Sequence, residues 1–314
     1  MKNIGRVIHT ARKNAGLTQK ELAEGICTIK HIYLIEKGFR QPSAEMLESL
    51  GNRMGTGFFQ YMPYMSCDDP IEVKAFVDRF SRLRCSGDFS QLEKENERAR
   101  HMADFQRYPW IMELQHNEVV LRMYQLKDFE GAKAEVTAFL RLNGAQVPIT
   151  SPLKKTLPPE IIMLYNLLAV CELHLGHPEK ALEIFEPLYQ FLRKKVGFQN
   201  FDTISISVRI NHSYCLGMQG RYEEQLSSSD ELIALQTKSN RLDRAYLSFF
   251  TKAAALASLG RKEEARTLFR KSFFAGLAFD EYVNLKDLSQ EPILKEFVEQ
   301  GVFSMDLLEL IEAR

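Results

Sequence analysis

Five helix breaks at near-regular intervals constrain this chain more than any other feature. SGDFSQL from Ser86, LKDFEGA from Leu126, LGHPEKA from Leu175, QGRYEEQ from Gln219 and LGRKEEA from Leu259 each interrupt one amphipathic pattern and open another. Aligned on Gly87, Lys127, Gly176, Gly220 and Gly260, they lie 40, 49, 44 and 40 residues apart. Helical patterns flank each break, as in LYNLLAVCELHLG before one and EKALEIFEPLYQFL after it. A single helical hairpin cannot bury its apolar face, so such units must stack into a superhelix with a concave inner surface, the kind of surface that takes an extended peptide. The longest interval holds Asn143 to Glu160, NGAQVPITSPLKKTLPPE, an inserted loop. The segment after about Asp280, ending in SMDLLELIEAR, is expected to cap the last repeat.

The period, with a small residue after the turn at Ala132, Ala181 and Ala265, resembles tetratricopeptide repeats in a looser form than the standard unit. In that architecture the first helix of each hairpin lines the concave face. An asparagine there suits peptide binding, because its amide donates and accepts at once. Asn166 and Asn211 each lie about ten residues before their repeat's glycine, at Gly176 and Gly220. Continuing that register places Thr251 and Lys252 at the matching position of the next repeat. The competing reading is that an asparagine inside a helix hydrogen-bonds a neighbouring helix.

Ahead of the repeats, Leu17 to Ser43, LTQKELAEGICTIKHIYLIEKGFRQPS, reads as two short helices. Thr18 caps the first, Glu21 completes a capping box, and Leu22 opens a buried face. The chain breaks at Gly25 and restarts at Cys27-Thr28, with Thr28 capping a helix to about Glu36. Ile29, Ile32 and Ile35 at i, i+3 and i+6 predict its inward stripe, and Gly38 ends it. Thr28, Lys30, His31 and Tyr33 then face out, the geometry that sets a recognition helix in the major groove. Lys30 and His31 are placed to reach base edges, with Thr28 and Tyr33 beside them, and Gln19, Lys20 and Arg40 to touch phosphate. Tyr33 has a second reading, packing against the next helix.

Residues 3 to 14 complete this head as a first helix, with Ile4, Val7, Ile8 and Ala11 inward and Arg6, Arg12 and Lys13 outward. Ser43 caps a fourth helix, whose Met46, Leu47 and Leu50 pack back. Residues 57 to 65, GFFQYMPYM, suggest a fifth helix ended by Pro63. The reading is an all-α chain, an N-terminal helix-turn-helix bundle over 1–65 followed by a right-handed superhelix of tetratricopeptide-like repeats over 71–314. The boundary falls in Ser66 to Pro70, a linker helix starts within 66–80, and about five hairpins precede the C-terminal capping helices.

Charge is divided along the same line. The chain carries 41 basic and 41 acidic side chains, yet Met1 to Met65 holds nine Lys/Arg against five Glu, so a head of +4 precedes a body of −4. That fits phosphate contact confined to the head. The five cysteines, Cys27, Cys67, Cys85, Cys171 and Cys215, are scattered without a Cys-x-x-Cys pair and read as reduced core thiols. No apolar run reaches membrane-span length and the N-terminus is an amphipathic helix, so a cytoplasmic protein without membrane contact is expected. There is no Gly-rich phosphate loop and no nucleophile elbow, and His116, His174, His177 and His212 lack metal-ligand spacing. Neither enzyme activity nor a metal or cofactor is expected. Phe249-Phe250, Phe269 and Phe273-Phe274 read as core.

Leu17-Thr18-Gln19, Glu21-Leu22-Ala23, Ile32, Ile35-Glu36, Gly38 and Pro42-Ser43 resemble the Xre/Cro/C1 helix-turn-helix. The motif is one residue short at the turn, with Ile26-Cys27 where Gly-Val-Ser is usual, and is similar in this to the RNPP peptide-pheromone receptors, the PlcR-like and Rgg-like regulators of Gram-positive bacteria. The resemblance implies a quorum-sensing type of transcriptional regulator, a homodimer on double-stranded DNA controlled by a short signalling peptide. VRINHSYCLGMQGRYEE is similar to the family's asparagine-bearing helix, which implies that Asn166 and Asn211 clamp the peptide. At Thr251 the family's polar residue is replaced, and Cys85 and Gly87 stand where PlcR-like proteins carry lysines, so the resemblance implies a peptide of another sequence. The alternative is a scaffold, similar to the Rap-like relatives, that binds a response regulator or kinase and uses its head for autoregulation. A repressor without a ligand is a third reading, and it predicts a groove filled by the protein's own side chains or by the 143–160 loop.

Overall fold

The computed structural model describes residues 3–149, 153, 157–195, 199–238, 244–278, 288 and 291–293. Among them are fourteen α-helices, two 3-10 helices and no strand. The chain forms two compact units, Met1–Arg82 with Lys94–Leu114, and Leu83–Glu93 with Gln115–Arg314.

In the first unit, α1 (Asn3–Asn14), α2 (Gln19–Ala23), α3 (Ile29–Glu36) and α4 (Ala44–Met54) enclose Ile4, Val7, Ile8, Leu22, Ile32, Ile35, Leu47 and Leu50. Each short helix is started by a side chain. Thr18 Oγ1 accepts from the Glu21 N–H while Glu21 accepts from that of Thr18, Thr28 Oγ1 accepts from His31, and Ser43 Oγ accepts from Met46. These bonds satisfy donors that a first turn leaves free. Helix α1 approaches α3 at Gly5, where a Cβ would lie 2.0 Å from the Ile35 carbonyl oxygen. Only glycine permits that contact.

Two expectations for this unit are corrected. Arg12 is 4% exposed rather than outward, because Glu36 and the Leu17 carbonyl accept from its guanidinium. Residues Phe58–Tyr64 form a 3-10 helix with Pro63 inside it rather than at its end. At three residues per turn, Phe58 and Tyr64 fall on one face, and both are buried, Tyr64 stacked on Trp110 at 4.7 Å. The unit continues through most of α5 (Pro70–Ser86) and α6 (Phe89–Arg100), and Phe105 beyond them packs edge to face on Phe76 and Phe80 of α5.

The second unit stacks α7 (Ile111–Tyr124), α8 (Phe129–Leu142), α9 (Pro159–His174), α10 (Pro178–Arg193), α11 (Gln199–Met218), α12 (Tyr222–Lys238), α13 (Ala245–Ser258) and α14 (Lys262–Ala278). All five positions on which the repeat aligns are left-handed, with φ of 74° at Gly87, 56° at Lys127, 80° at Gly176, 71° at Gly220 and 78° at Gly260. From α8 to α14 each helix packs on the next, and α11 also touches α9 and α13, so the first helices of successive hairpins lie side by side. Ala132, Ala181 and Ala265 are fully buried after their turns. The fourth repeat has Gln225 there, and Gly217 makes the room, since a Cβ on it would lie 2.7 Å from the Gln225 amide.

Phe250, Phe269 and Phe273 form the core of the last hairpin, whereas Phe274 is 62% exposed. No helix covers the described part of the loop between α8 and α9, and its Gln146 carbonyl accepts from the Tyr165 hydroxyl at 2.6 Å. The segment expected to cap the repeats lies outside the described residues apart from Leu288 and 291–293. Among the described residues no helix is long and apolar enough to cross a membrane.

Candidate nucleic-acid interface and candidate peptide groove

Helix α3 presents its N-terminal half to solvent. Thr28, Ile29, Lys30 and Tyr33 are exposed and His31 is partly so, while Ile32 and Ile35 are buried. The inward stripe is therefore shorter than expected, and Ile29 is corrected to the outer face at 48% exposure. Residues spaced by three drift roughly 60° per step around a helix, so Ile29 stands roughly 120° from Ile35. Tyr33, at 46% exposure, lies on the outer face. Lys20, Lys30, Lys37 and Arg40 are exposed and form no ion pair among the described residues, which leaves their charge for phosphate.

Beneath this face one carboxylate ties three helices together. Glu36 at the end of α3 accepts from Arg12 Nε at 2.6 Å and Nη2 at 3.0 Å, and from Gln19 Nε2 at 2.9 Å, with His9 Nδ1 also at 2.9 Å. Burial opposes its charge, but these hydrogen bonds outweigh burial and bring its pKa down to about 2. Gln19 is thus committed through its amide nitrogen to Glu36. Sequence reasoning passed over Phe39, 77% exposed just after α3, and the outward Ile29. Both are apolar groups suited to a thymine methyl or a sugar edge, and both stand next to residues that were singled out.

In the second unit, α9 is buried from Ile161 to Glu172 except at Met163, Asn166 and Val170, spaced three and four apart. Helix α11 repeats this with Ser207, Asn211 and Tyr214. The two partly exposed stripes lie side by side, and Asn211 Nδ2 donates to Asn166 Oδ1 at 3.0 Å. The next residue, His212, is buried, stacked on Tyr189 at 4.4 Å, with its Nε2 3.0 Å from Glu186. That bond fixes how far α11 rotates about its axis, and so where Asn211 points.

Thr251 does not extend this stripe. It is 2% exposed and bonded to Ser229 and the Ser248 carbonyl, so its expected place in the groove is corrected to the core between α12 and α13. The cause is register. Asn211 lies nine residues before its glycine and Asn166 ten, so counting back from Gly260 does not identify the open face of α13. Lys252 is partly exposed, with Nζ 2.5 Å from Asp230.

Residues 8–59 match the helix-turn-helix family model. No curated protein matches the chain by sequence. Among solved structures, Bacillus thuringiensis PlcR in complex with the peptide PapR7 and DNA superposes with a TM-score of 0.67 at 19% identity, covering 93% of this chain and 100% of PlcR. The chain has the PlcR fold. ComR from S. thermophilus, in complex with DNA and its signalling peptide ComS, superposes at 0.53 with 16% identity over 96% of this chain and 98% of its own. A PrgX point mutant superposes at 0.55 with 14% identity over 99% of both chains. The correspondence runs from the helix-turn-helix through the helical repeats.

Proposed function

We propose that this protein is a transcriptional regulator of the RNPP type. It binds operator DNA as a dimer through α3, and a short signalling peptide in the groove of its repeat unit controls that binding. The observation that carries the reading is the Asn211–Asn166 pair. Two amides on adjacent inner helices, partly open to solvent, each keep unused donors and acceptors, and a peptide backbone needs both in turn. Solved structures of the same fold are described as complexes with DNA and a peptide, which supports extending both partners to this chain.

Peptide binding acts on DNA binding only if the peptide prefers one arrangement of the dimer, so the groove is the place where the population is shifted. The direct test is isothermal titration of the full chain with short peptides from the C-terminal ends of small reading frames beside its gene. Saturable binding that Asn211→Ala removes supports the reading. Absence of binding from a folded dimer contradicts it and turns attention to a protein partner.

A further inference from the structure

Helix α3 leaves an apolar strip on the outside of the head. Ile29 is 48% exposed, Tyr33 one turn on is 46% exposed, and Leu34 beside it is half-buried. None of the three is among the side chains that pack into the core of the head, where Ile32 and Ile35 hold α3. At about 3.6 residues per turn, Ile29, Tyr33, Lys37, Lys30 and Leu34 fall in that order within roughly 140° of arc. The strip therefore shares its face with two exposed lysines that form no ion pair among the described residues. A single exposed apolar side chain is ordinary on a protein surface, but adjacent ones among unpaired cations mark a binding face.

Such a face, on a head of net charge +4, calls for an anionic ligand that also offers apolar groups. The major groove of B-DNA is lined by phosphates and displays the thymine 5-methyl. The outer face of α3 carries no Arg, Asn or Gln, the side chains that grip guanine or adenine by paired hydrogen bonds, and Gln19 on α2 is bound to Glu36. Ile29 has no hydrogen-bonding atom in its side chain. Among the groups a base pair presents in the major groove the thymine 5-methyl is the apolar one, so it is the feature Ile29 can distinguish. We propose that α3 recognises its operator by the 5-methyl groups of thymines, read by Ile29 with Tyr33 beside it, while Lys30 and Lys37 hold the helix against guanine edges and phosphate. The proposal rests on the DNA-binding reading above and adds what the operator must contain, a thymine facing Ile29.

Replacing thymine by deoxyuridine removes the methyl and keeps the hydrogen bonds of the base pair, so it isolates the contact. The full-length protein is footprinted on DNA from its own promoter region, and each thymine of the protected site is then replaced singly. Affinity is read by fluorescence anisotropy at fixed salt. The expected result is a loss of about fourfold at one or more thymines, the scale of one buried carbon group. In Ile29→Ala or Tyr33→Ala the same replacement is expected to change nothing, because the side chain that met the methyl is gone. Specific binding with no sensitive thymine overturns the methyl readout and leaves the DNA-binding reading intact. Sensitivity that survives in both variants overturns it too, by placing the contact elsewhere. No preference for promoter DNA over random DNA overturns both readings. The scan uses the unaltered chain, so it decides the matter even where a variant does not fold.

Discussion

The side-chain amide of Asn211 donates to Oδ1 of Asn166 across the seam between α9 and α11. The bond makes the pair an interhelical contact, and both residues remain partly exposed to solvent. Its energetic role in the free protein is that of an ordinary hydrogen bond, about 1 kcal/mol. Asn211→Ala is therefore expected to leave the circular dichroism spectrum and peptide-free DNA affinity unchanged while abolishing peptide binding by calorimetry. A collapsed fold would assign the pair to packing alone.

The exposed face of α3 divides by chemistry. If Lys30 reads a base, Lys30→Ala costs about 1–3 kcal/mol on the true operator and little on random DNA, measured by fluorescence anisotropy. Arg40→Ala is expected to weaken both equally and to lower the salt slope by roughly one. Ile29→Ala tests whether the outward isoleucine meets a thymine methyl, which would show as lost discrimination at a single position of the site.

Glu36 makes the helix-turn-helix sensitive to acid. Its folded pKa of about 2 lies below its ordinary 4.5, so the stability it contributes is complete above pH 4.5 and lost as pH falls toward 2. Glu36→Gln leaves Arg12 buried without its anion and is expected to cost roughly 3–5 kcal/mol. It should also flatten the acid limb of a denaturation series. An unchanged acid limb would place the titration elsewhere.

Alanine in place of a helical glycine ordinarily stabilises by about 1 kcal/mol. At Gly5 the added Cβ meets the Ile35 carbonyl oxygen at 2.0 Å, so the helices must part. Gly5→Ala is expected to lower the first thermal transition and operator affinity, with peptide affinity by calorimetry preserved. A stabilised head would refute the close approach.

Local signals were legible in the sequence and distant ones were not. The caps at Thr18, Thr28 and Ser43 depend on a side chain three residues from its donor, and all three bonds are present. The repeat was readable because each hairpin needs a left-handed residue at its turn, even where that residue is Lys127. Ile29 was misplaced because a spacing of three drifts around the helix, and Arg12 because its partner Glu36 lies 24 residues away. Thr251 was misplaced because distance from a turn does not fix which side of α13 faces its neighbours. The contact of Arg244 with Cys85 is not legible in the sequence, since only the stacking of repeats brings together residues 159 positions apart.

In the proposed regulator, a peptide in the repeat groove controls DNA binding by the head. The most direct measurement is the affinity of the full chain for DNA from its own promoter region, by fluorescence anisotropy at fixed salt, with and without a saturating peptide found by calorimetry. The peptide is expected to change operator affinity by about fivefold or more, in either direction, in the unaltered protein and not in Asn211→Ala. An operator affinity that the bound peptide leaves unchanged would contradict it.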